Sequence, residues 1–220
     1  MSAGRGQDGL LATDHVLHRA AERLAQQFTA MVNAETVERV VFESYTALAR
    51  TATVSTHLAT TAEKFARDRL TALAQSRGLI AKPVPEILYI CVQNSARSQM
   101  AAAITRHLAG DRVHVRSAGS QPGTGILPEV VAVLAEAGID VSEEFPKPLT
   151  DDVVRAADAV VTMGCGDACP FYPGKRYLDW NLDDPAHLDL DGIRAVRDEI
   201  RQHVEDLLTE LTPTLTAADR

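Results

Sequence analysis

Two prolines within three residues, Pro83 and Pro85, separate two stretches of this chain that follow different hydrophobic patterns. Proline lacks a backbone N–H and disfavours helix at the residue before it, so residues 81–85 are predicted to form an extended spacer. A chain of 220 residues is long enough for two domains of ordinary size. We therefore place a domain boundary here, with one domain over residues 1–82 and the other over residues 83–220.

Before this boundary, apolar residues recur every three or four residues in three successive segments, a pattern typical of amphipathic helices. The nine residues ahead of the first segment have no such pattern, and we expect them to form a mobile tail. Asn33 is a predicted N-cap of the second helix, and Gly78 is a predicted end of the third. Residues 1–82 are therefore predicted to form a small three-helix bundle followed by a linker. The apolar stripe predicted for the first helix is Val16, Ala20, Leu24, Phe28 and Met31.

After the boundary, short apolar runs alternate with helical patterns. Such alternation is typical of βαβ units and predicts an α/β domain with a parallel sheet. The residue before the third predicted helix, Thr150, is a candidate N-cap. Strands are predicted near residues 86–90, 113–116, 159–162 and 175–180, and helices near 98–108, 128–137, 151–156 and 192–211.

The overall charge limits which partners are plausible. A net charge of −8 makes the chain a poor candidate for binding nucleic acid or an anionic membrane surface, so any bound anion must be held by local donors. The sequence contains no apolar run long enough to span a bilayer and begins without the pattern of a signal peptide, so we expect a cytoplasmic protein. In a reducing compartment, an odd count of 3 cysteines favours redox or nucleophilic chemistry.

The candidate catalytic segment is the loop that starts at Cys91. A cysteine ends a predicted strand, Arg97 and Ser98 follow after five intervening residues, and a helix begins there. Such a loop directs backbone N–H groups toward a bound oxyanion, and arginine adds two parallel hydrogen bonds. The positive end of the helix stabilises a thiolate, which makes Cys91 a candidate nucleophile; the alternative is a small buried cysteine without a chemical role. The predicted oxyanion-binding residues are Val92, Gln93, Asn94, Ser95, Ala96, Arg97 and Ser98, with Asn94 also bracing the loop.

Four segments of the second domain resemble the low-molecular-weight protein tyrosine phosphatase family and, within it, the arsenate reductases that use a thiol relay. These segments are Cys91–Met100, Arg116–Gly119, Asp158–Met163 and Asp183–Ala186, in the family's order. The resemblance implies the phosphatase-like α/β fold over residues 86–212. The N-terminal helices resemble an accessory bundle found ahead of some of these reductases.

Two features favour a reductase over a phosphatase. Phosphatases of this family usually have proline after the Arg-Ser pair, whereas this chain has Gln99, as the reductases do. A phosphatase needs one cysteine, whereas this chain has two more, Cys165 and Cys169. Asp184, which precedes Pro185, occupies the position of the family's general acid, although an aspartate before proline is also a common turn residue.

The resemblance implies a complete reaction sequence. Cys91 attacks arsenate, Asp184 protonates the departing oxygen, and Cys165 then attacks Cys91 and releases arsenite. Cys169 attacks Cys165 in turn, and a thioredoxin-type partner reduces the resulting disulfide. A low-molecular-weight thiol such as mycothiol is an alternative reductant, but relatives of that kind need only the loop cysteine.

No bound cofactor or metal is expected. Two cysteines four residues apart lack the two further ligands of a zinc site, although His187 and Cys91 are conceivable ones. Some relatives bind potassium beside the loop through acidic residues. This chain has Ala102 and Lys147 at the aligned positions, so we expect no potassium requirement.

The role of the bundle is open from the sequence. Packing, or a homodimer formed through the bundle, is the preferred interpretation, and a docking surface for another protein is the alternative. A phosphatase acting on phosphotyrosine also remains a candidate for the second domain, as does a binding module without catalysis. Intact Cys91, Arg97 and Asp184 argue against a purely binding role.

Overall fold

A computed structural model of the protein describes residues 4–53, 56–164 and 169–212. The chain divides into two compact units, Met1–Ala81 and Lys82–Arg220. This division falls one residue before the boundary that we expected, so Lys82 belongs to the second unit. Its ammonium group donates hydrogen bonds to the Ala156 carbonyl and the Asp158 carboxylate, which ties it to that unit.

The described residues of the first unit form three helices: α1 (Gly4–Gln27), α2 (Ala34–Ala49) and α3 (Leu58–Ser76). The Asn33 Oδ1 accepts a hydrogen bond of 2.8 Å from the Thr36 amide, which confirms Asn33 as the N-cap of α2. Gly78 has a φ of +70°, the left-handed backbone that glycine adopts readily just beyond a helix.

Helix α1 differs from the expectation in two respects. Its backbone is helical from Gly4, where we expected a mobile tail, because a helix once nucleated extends at little cost per residue. Its buried face passes through Leu17, whereas Val16 is 38% exposed. A stripe that begins at Leu17 continues at intervals of three or four residues and so covers the same core. The buried residues of this stripe, which continues past the end of α1, are Leu17, Ala20, Leu24, Phe28 and Val32.

Within the part of the second unit that the structure describes, four strands form the predicted parallel sheet, in the order β2-β1-β3-β4. The strands are β1 (Glu86–Cys91), β2 (His114–Gly119), β3 (Ala159–Met163) and β4 (Arg176–Asp179). The helices are α4 (Arg97–Ala109), α5 (Pro128–Glu136), α6 (Asp151–Ala156) and α7 (Leu190–Leu211), with 3-10 turns at Gly110–Arg112 and Pro185–His187. The α/β fold class is therefore confirmed.

The sheet brings three strand ends to one edge. In the register of β1, Cys91 pairs with Gly119 of β2 on one side and Met163 of β3 on the other. All six residues of β1 are buried, so this central strand is held on both faces. The loops that follow Cys91, Gly119 and Met163 therefore emerge together.

One predicted cap is wrong. Thr150 precedes α6 with an extended backbone, but its side chain makes no capping hydrogen bond. Its hydroxyl oxygen is buried without a partner among the described residues. Separately, within the described parts of the chain, no helix combines the length and apolar character that crossing a membrane requires.

Candidate active site

The loop between β1 and α4 places the Cys91 thiol at the centre of a network of donors. Cys91 is 3% exposed, and its Sγ lies 2.9 Å from the Ser98 Oγ. The Asn94 amide N–H donates to the same sulfur at 3.2 Å. The Ser98 oxygen itself accepts from the Asn94 Nδ2 at 2.7 Å, which leaves the hydroxyl hydrogen to point toward the sulfur. Two hydrogen bonds are therefore directed at the sulfur of Cys91.

Asn94 braces the loop from inside. Its backbone has a φ of +51°, a left-handed conformation that asparagine tolerates better than most residues. Its side-chain oxygen accepts from the Gln99 Nε2 at 3.1 Å and from the Lys147 amide at 2.8 Å. Both ends of the buried Asn94 amide are therefore satisfied, and the loop cannot rearrange without breaking these bonds.

The backbone of the loop is oriented by the segment that follows β2. Carbonyl groups of the loop accept hydrogen bonds from the amides of this segment. In contrast, the amides of Gln93, Ser95 and Ala96 donate no hydrogen bond to any residue that the structure describes. Together with the first amides of α4, which have no acceptor within a helix, they form a set of donors suited to an oxyanion. The pairs are Ser120 N to Cys91 O, Gln121 N to Val92 O, Gly123 N to Gln93 O and Leu127 N to Ser95 O, at 2.8 to 3.1 Å.

Gly119 permits this close approach. A Cβ at Gly119 would lie 2.7 Å from the Val92 carbonyl oxygen and 2.9 Å from the Asn94 amide nitrogen. Contacts this short do not occur for real side chains, so any larger residue would displace the loop. The sequence places this glycine at the end of a recognised motif without showing that its role is steric.

Arg97 and Asp184 meet at the mouth of the loop. The Arg97 Nη2 donates to the Asp184 Oδ2 at 2.9 Å, and the Nη1 donates to the Leu182 carbonyl at 3.2 Å. Asp184 also accepts from the Ala186 amide at 3.1 Å and so caps the turn at Pro185–His187. The structure thus gives Asp184 the turn role of an Asp-Pro pair and also a contact with the loop arginine.

A cavity of about 130 Å³ lies over the loop. Asp184 lines it, whereas the neighbouring Asp183 does not. The sequence did not predict the contributions of Leu127 and Ala186. Leu127 has no local signature, and Ala186 lies in the recognised segment Asp183–Ala186 without any sign there that it lines a cavity. The lining residues are Cys91, Val92, Gln93, Ser95, Ala96, Arg97, Leu127, Asp184 and Ala186.

The remaining predicted cysteines follow β3. Gly164 has a φ of +73°, and a Cβ there would lie 3.3 Å from the Arg97 Nη1, so this backbone passes directly beside the loop arginine. Cys165 is the next residue and lies outside the described residues. Cys169 is half-buried, with its Sγ 3.7 Å from the Pro170 carbonyl oxygen.

Family matches cover both units of the chain. Residues 86–216 match the family described as low molecular weight phosphotyrosine protein phosphatase. The chain belongs to this phosphatase family. Residues 17–74 match a second family, described as the N-terminal domain of protein-tyrosine-phosphatase-like proteins.

Several relatives in the phosphatase family are named as arsenate reductases. A solved structure of the thioredoxin-dependent arsenate reductase of Corynebacterium glutamicum is 48% identical, with a TM-score of 0.82 over 91% of this chain and 98% of that chain. A putative arsenate reductase of Halobacterium salinarum is 36% identical over 57% of this chain and 92% of the relative. Arsenate reductase 1 of Staphylococcus epidermidis is 38% identical over 54% of this chain and 92% of the relative.

Lys147 lies behind the phosphatase-family loop. Its ammonium group bonds to the Glu144 Oε2 at 2.6 Å and the Phe145 carbonyl at 3.2 Å, and lies 4.5 Å from the centre of the Phe145 ring. The same carbonyl accepts from Gln99, whose amide also reaches Asn94. The positive charge of Lys147 is therefore linked to Asn94 through the Phe145 carbonyl and the Gln99 side chain. That this charge removes any need for potassium stays a prediction.

Proposed function

We propose that the protein reduces arsenate to arsenite, with Cys91 as the nucleophile. The observation that carries this proposal is the Cys91 sulfur, which lies at a small cavity and receives two directed hydrogen bonds. The names of its relatives give the substrate class, since those at 36% and 48% identity are described as arsenate reductases.

Substrate binding is the first step of the proposed mechanism. The free amides of the loop and the Arg97 guanidinium hold the tetrahedral oxyanion. Arg97 is 11% exposed, and the Asp184 carboxylate paired with it is 49% exposed, so an arriving anion competes with Asp184 for the guanidinium. We propose that binding of arsenate to Arg97 releases Asp184 to carry a proton.

Covalent attack follows. The Cys91 thiolate forms a bond to arsenic, and one arsenic–oxygen bond breaks. Asp184 gives its proton to the departing oxygen, which leaves as water. Asp184 is suited to this role because it lines the cavity and touches the same guanidinium that holds the anion.

The proposed relay then moves the oxidation outward. The Cys165 thiolate attacks the Cys91 sulfur, and the electron pair of the breaking sulfur–arsenic bond reduces arsenic as arsenite leaves. Cys169 attacks Cys165, which frees Cys91 and leaves a Cys165–Cys169 disulfide. The position of Gly164 beside Arg97, and of Met163 beside Cys91 in the sheet, supports a short path for Cys165.

Thioredoxin is the proposed reductant. This proposal comes from the 48% identity to a protein described as a thioredoxin-dependent arsenate reductase. The presence of two further cysteines beyond Cys91 also supports it, because a relay that ends in an exchangeable disulfide suits a dithiol protein. Mycothiol is the alternative reductant.

Hydrolysis of aryl phosphates is the competing function of the same site. Arg97 and the loop amides would hold a phosphoryl group equally well. However, none of the described side chains that line the cavity is aromatic, so a phosphotyrosine ring would find little apolar contact there. Gln99, where phosphatases usually have proline, also favours the reductase.

Coupled turnover tests the proposal. Wild-type protein is mixed with thioredoxin, thioredoxin reductase and NADPH, and arsenate is added. We expect NADPH oxidation that depends on arsenate and stops in Cys91→Ser. Hydrolysis of an aryl phosphate without any arsenate-dependent NADPH oxidation would reject the reductase and favour the phosphatase. Turnover that requires mycothiol would reject thioredoxin as the reductant and would leave the proposed arsenate reduction standing.

For the helical unit we propose a role in packing or homodimerisation. Val16 is an apolar residue of α1 that the core of the helical unit does not bury, so it is available for contact with a second copy. Sedimentation of the full chain tests this role. A monomer at every concentration would reject the dimer, and a dimer that dissociates in Val16→Asp would support it.

A further inference from the structure

Phe171 is unusually exposed for an aromatic residue. Its exposed fraction is 73%, whereas the other large hydrophobic residues at the described surface are 38–48% exposed. All of those others are aliphatic. Single exposed aliphatic residues are normal, but aromatic side chains are enriched where proteins bind one another. Phe171 lies two residues after Cys169.

The Phe171 ring is held in place on one face. It stacks on the Tyr177 ring, with centroids 4.7 Å apart and planes inclined by 29°. Gly174, with a φ of +82°, turns the chain between the two rings and leads it into β4. Stacking on Tyr177 restrains the Phe171 ring before any partner arrives, and its other face is open to solvent.

The Tyr177 hydroxyl fixes the backbone around Phe171. It accepts a hydrogen bond of 2.8 Å from the Tyr172 amide and donates one of 3.2 Å to the Pro170 carbonyl. Burial, and then the charge of a Cys169 thiolate, raise the pKa of Tyr177 above its ordinary value. The hydroxyl therefore stays protonated and keeps its donor role when Cys169 ionises.

Tyr172 anchors the far end of this segment on α6. The Arg155 guanidinium lies 4.3 Å from the centre of the Tyr172 ring, and the Tyr172 hydroxyl donates to the Asp151 carboxylate. The segment from Cys169 to Tyr172 is thus attached to both β4 and α6. These contacts hold Phe171 on the same short segment as Cys169, two residues away along the chain.

We propose that Phe171 is the apolar contact that docks the dithiol reductant beside Cys169. This inference rests on the proposed function, which makes Cys169 one sulfur of the disulfide that the reductant attacks. Two residues of chain span at most about 7 Å. A protein that brings a thiolate within bonding distance of the Cys165–Cys169 disulfide must therefore cover the neighbourhood of Phe171. Burying the open face of an ordered ring gives such a partner an aromatic anchor at little entropic cost.

The exchange at this surface balances in atoms and electrons. One thiolate of the reductant attacks a sulfur of the Cys165–Cys169 disulfide, forms a mixed disulfide and releases the other cysteine as a thiolate. The second thiol of the reductant loses its proton and attacks the mixed disulfide. Two electrons pass to Cys165 and Cys169, and the reductant leaves as a disulfide.

Kinetics with two reductants test the proposal. Phe171→Ala should raise the KM for thioredoxin by about tenfold, as expected for loss of an aromatic anchor. Turnover driven by dithiothreitol, a small dithiol without a docking surface, should change far less. Phe171→Trp should restore the KM, because another aromatic ring can fill the same role. Leu190→Ala is the matched control, since Leu190 is 43% exposed and belongs to α7.

Each other outcome overturns the proposal in a distinct way. An unchanged KM for thioredoxin in Phe171→Ala would show that the ring is not a contact. An equal loss with thioredoxin and dithiothreitol would show that Phe171 positions Cys169 and does not dock a partner. Absence of arsenate-dependent turnover by the wild type with both reductants would reject the proposed function itself and this inference with it.

Discussion

Cys91 and Cys169 occupy opposite surroundings in the same unit. Cys91 is 3% exposed, ends a fully buried strand, and receives hydrogen bonds from Ser98 and Asn94. Cys169 is half-buried two residues before the exposed Phe171, and its Sγ lies 3.7 Å from the Pro170 carbonyl oxygen.

The difference matches the two kinds of thiol chemistry that we propose for these cysteines. A nucleophile that attacks an oxyanion gains from fixed donors, because they stabilise its thiolate before the substrate arrives. A thiol that exchanges disulfides with another protein must instead be reachable. Substitution of each cysteine tests whether the two thiols differ in this way.

The largest expected effect belongs to Cys91. Cys91→Ser should abolish arsenate turnover, because a hydroxyl in that position is a far weaker nucleophile than a thiolate. Binding of inorganic phosphate, measured by calorimetry, should persist, since the loop amides and Arg97 remain. Loss of phosphate binding would show instead that the substitution disrupts the loop.

Cys169→Ser should stop the reaction after one turnover. Without Cys169 to attack it, a Cys91–Cys165 disulfide should accumulate after a single release of arsenite, as detected by mass spectrometry. Cys165→Ser is the comparison and should retain arsenic on Cys91. Full thioredoxin-coupled turnover by both variants would remove the relay. An exchange of the two phenotypes would mean that Cys169 attacks first.

Asp184→Asn should lower kcat/KM by about 10²–10⁴-fold, the usual cost of losing a general acid. Asparagine can still cap the turn at Pro185–His187, so the local fold should survive. Asp183→Asn is the matched control, because Asp183 is the exposed neighbour that does not line the cavity. Equal effects of the two substitutions would contradict the assignment of the acid to Asp184.

The smallest expected effect is on the stability of the fold and concerns Glu86, at the opposite end of β1 from Cys91. Glu86 is 1% exposed, and its Oε1 lies 2.7 Å from the His114 Nδ1 and 3.2 Å from the Arg116 Nη2. Burial pushes the pKa of Glu86 upward, but the hydrogen bond from His114 and the charge of Arg116 outweigh it and hold the pKa below its usual value. Ionised Glu86 therefore stabilises the fold above the ordinary glutamate pKa of about 4.3, and this contribution is lost as the pH falls through the lowered pKa.

Urea unfolding as a function of pH measures this contribution. Glu86→Gln should be less stable than the wild type at pH 7, and the difference should shrink steadily as the pH is lowered toward 3. Arsenate turnover at pH 7 should change little, because Glu86 lies at the opposite end of the strand from Cys91. A difference in unfolding free energy that does not vary with pH would contradict the predicted linkage.

Local features of the sequence predicted most elements of the fold. The prolines Pro83 and Pro85, the periodicity of the first helices and the alternation after residue 85 predicted three helices followed by a parallel sheet, which the structure confirms. The predicted start of α1 was wrong, because a helix that has nucleated can continue through residues that have no apolar pattern of their own.

The sequence by itself determined the order of the elements and the strand–loop–helix context of Cys91 and Arg97, because both depend on neighbouring residues. Only the tertiary structure decided which distant groups complete the site. The Asp184 carboxylate reaches Arg97 across 87 residues, and the Lys147 amide reaches Asn94 across 53. Such long-range contacts depend on the order and register of the strands in the sheet. Order and register arise from packing between segments, and the local periodicity of a segment does not specify its partner.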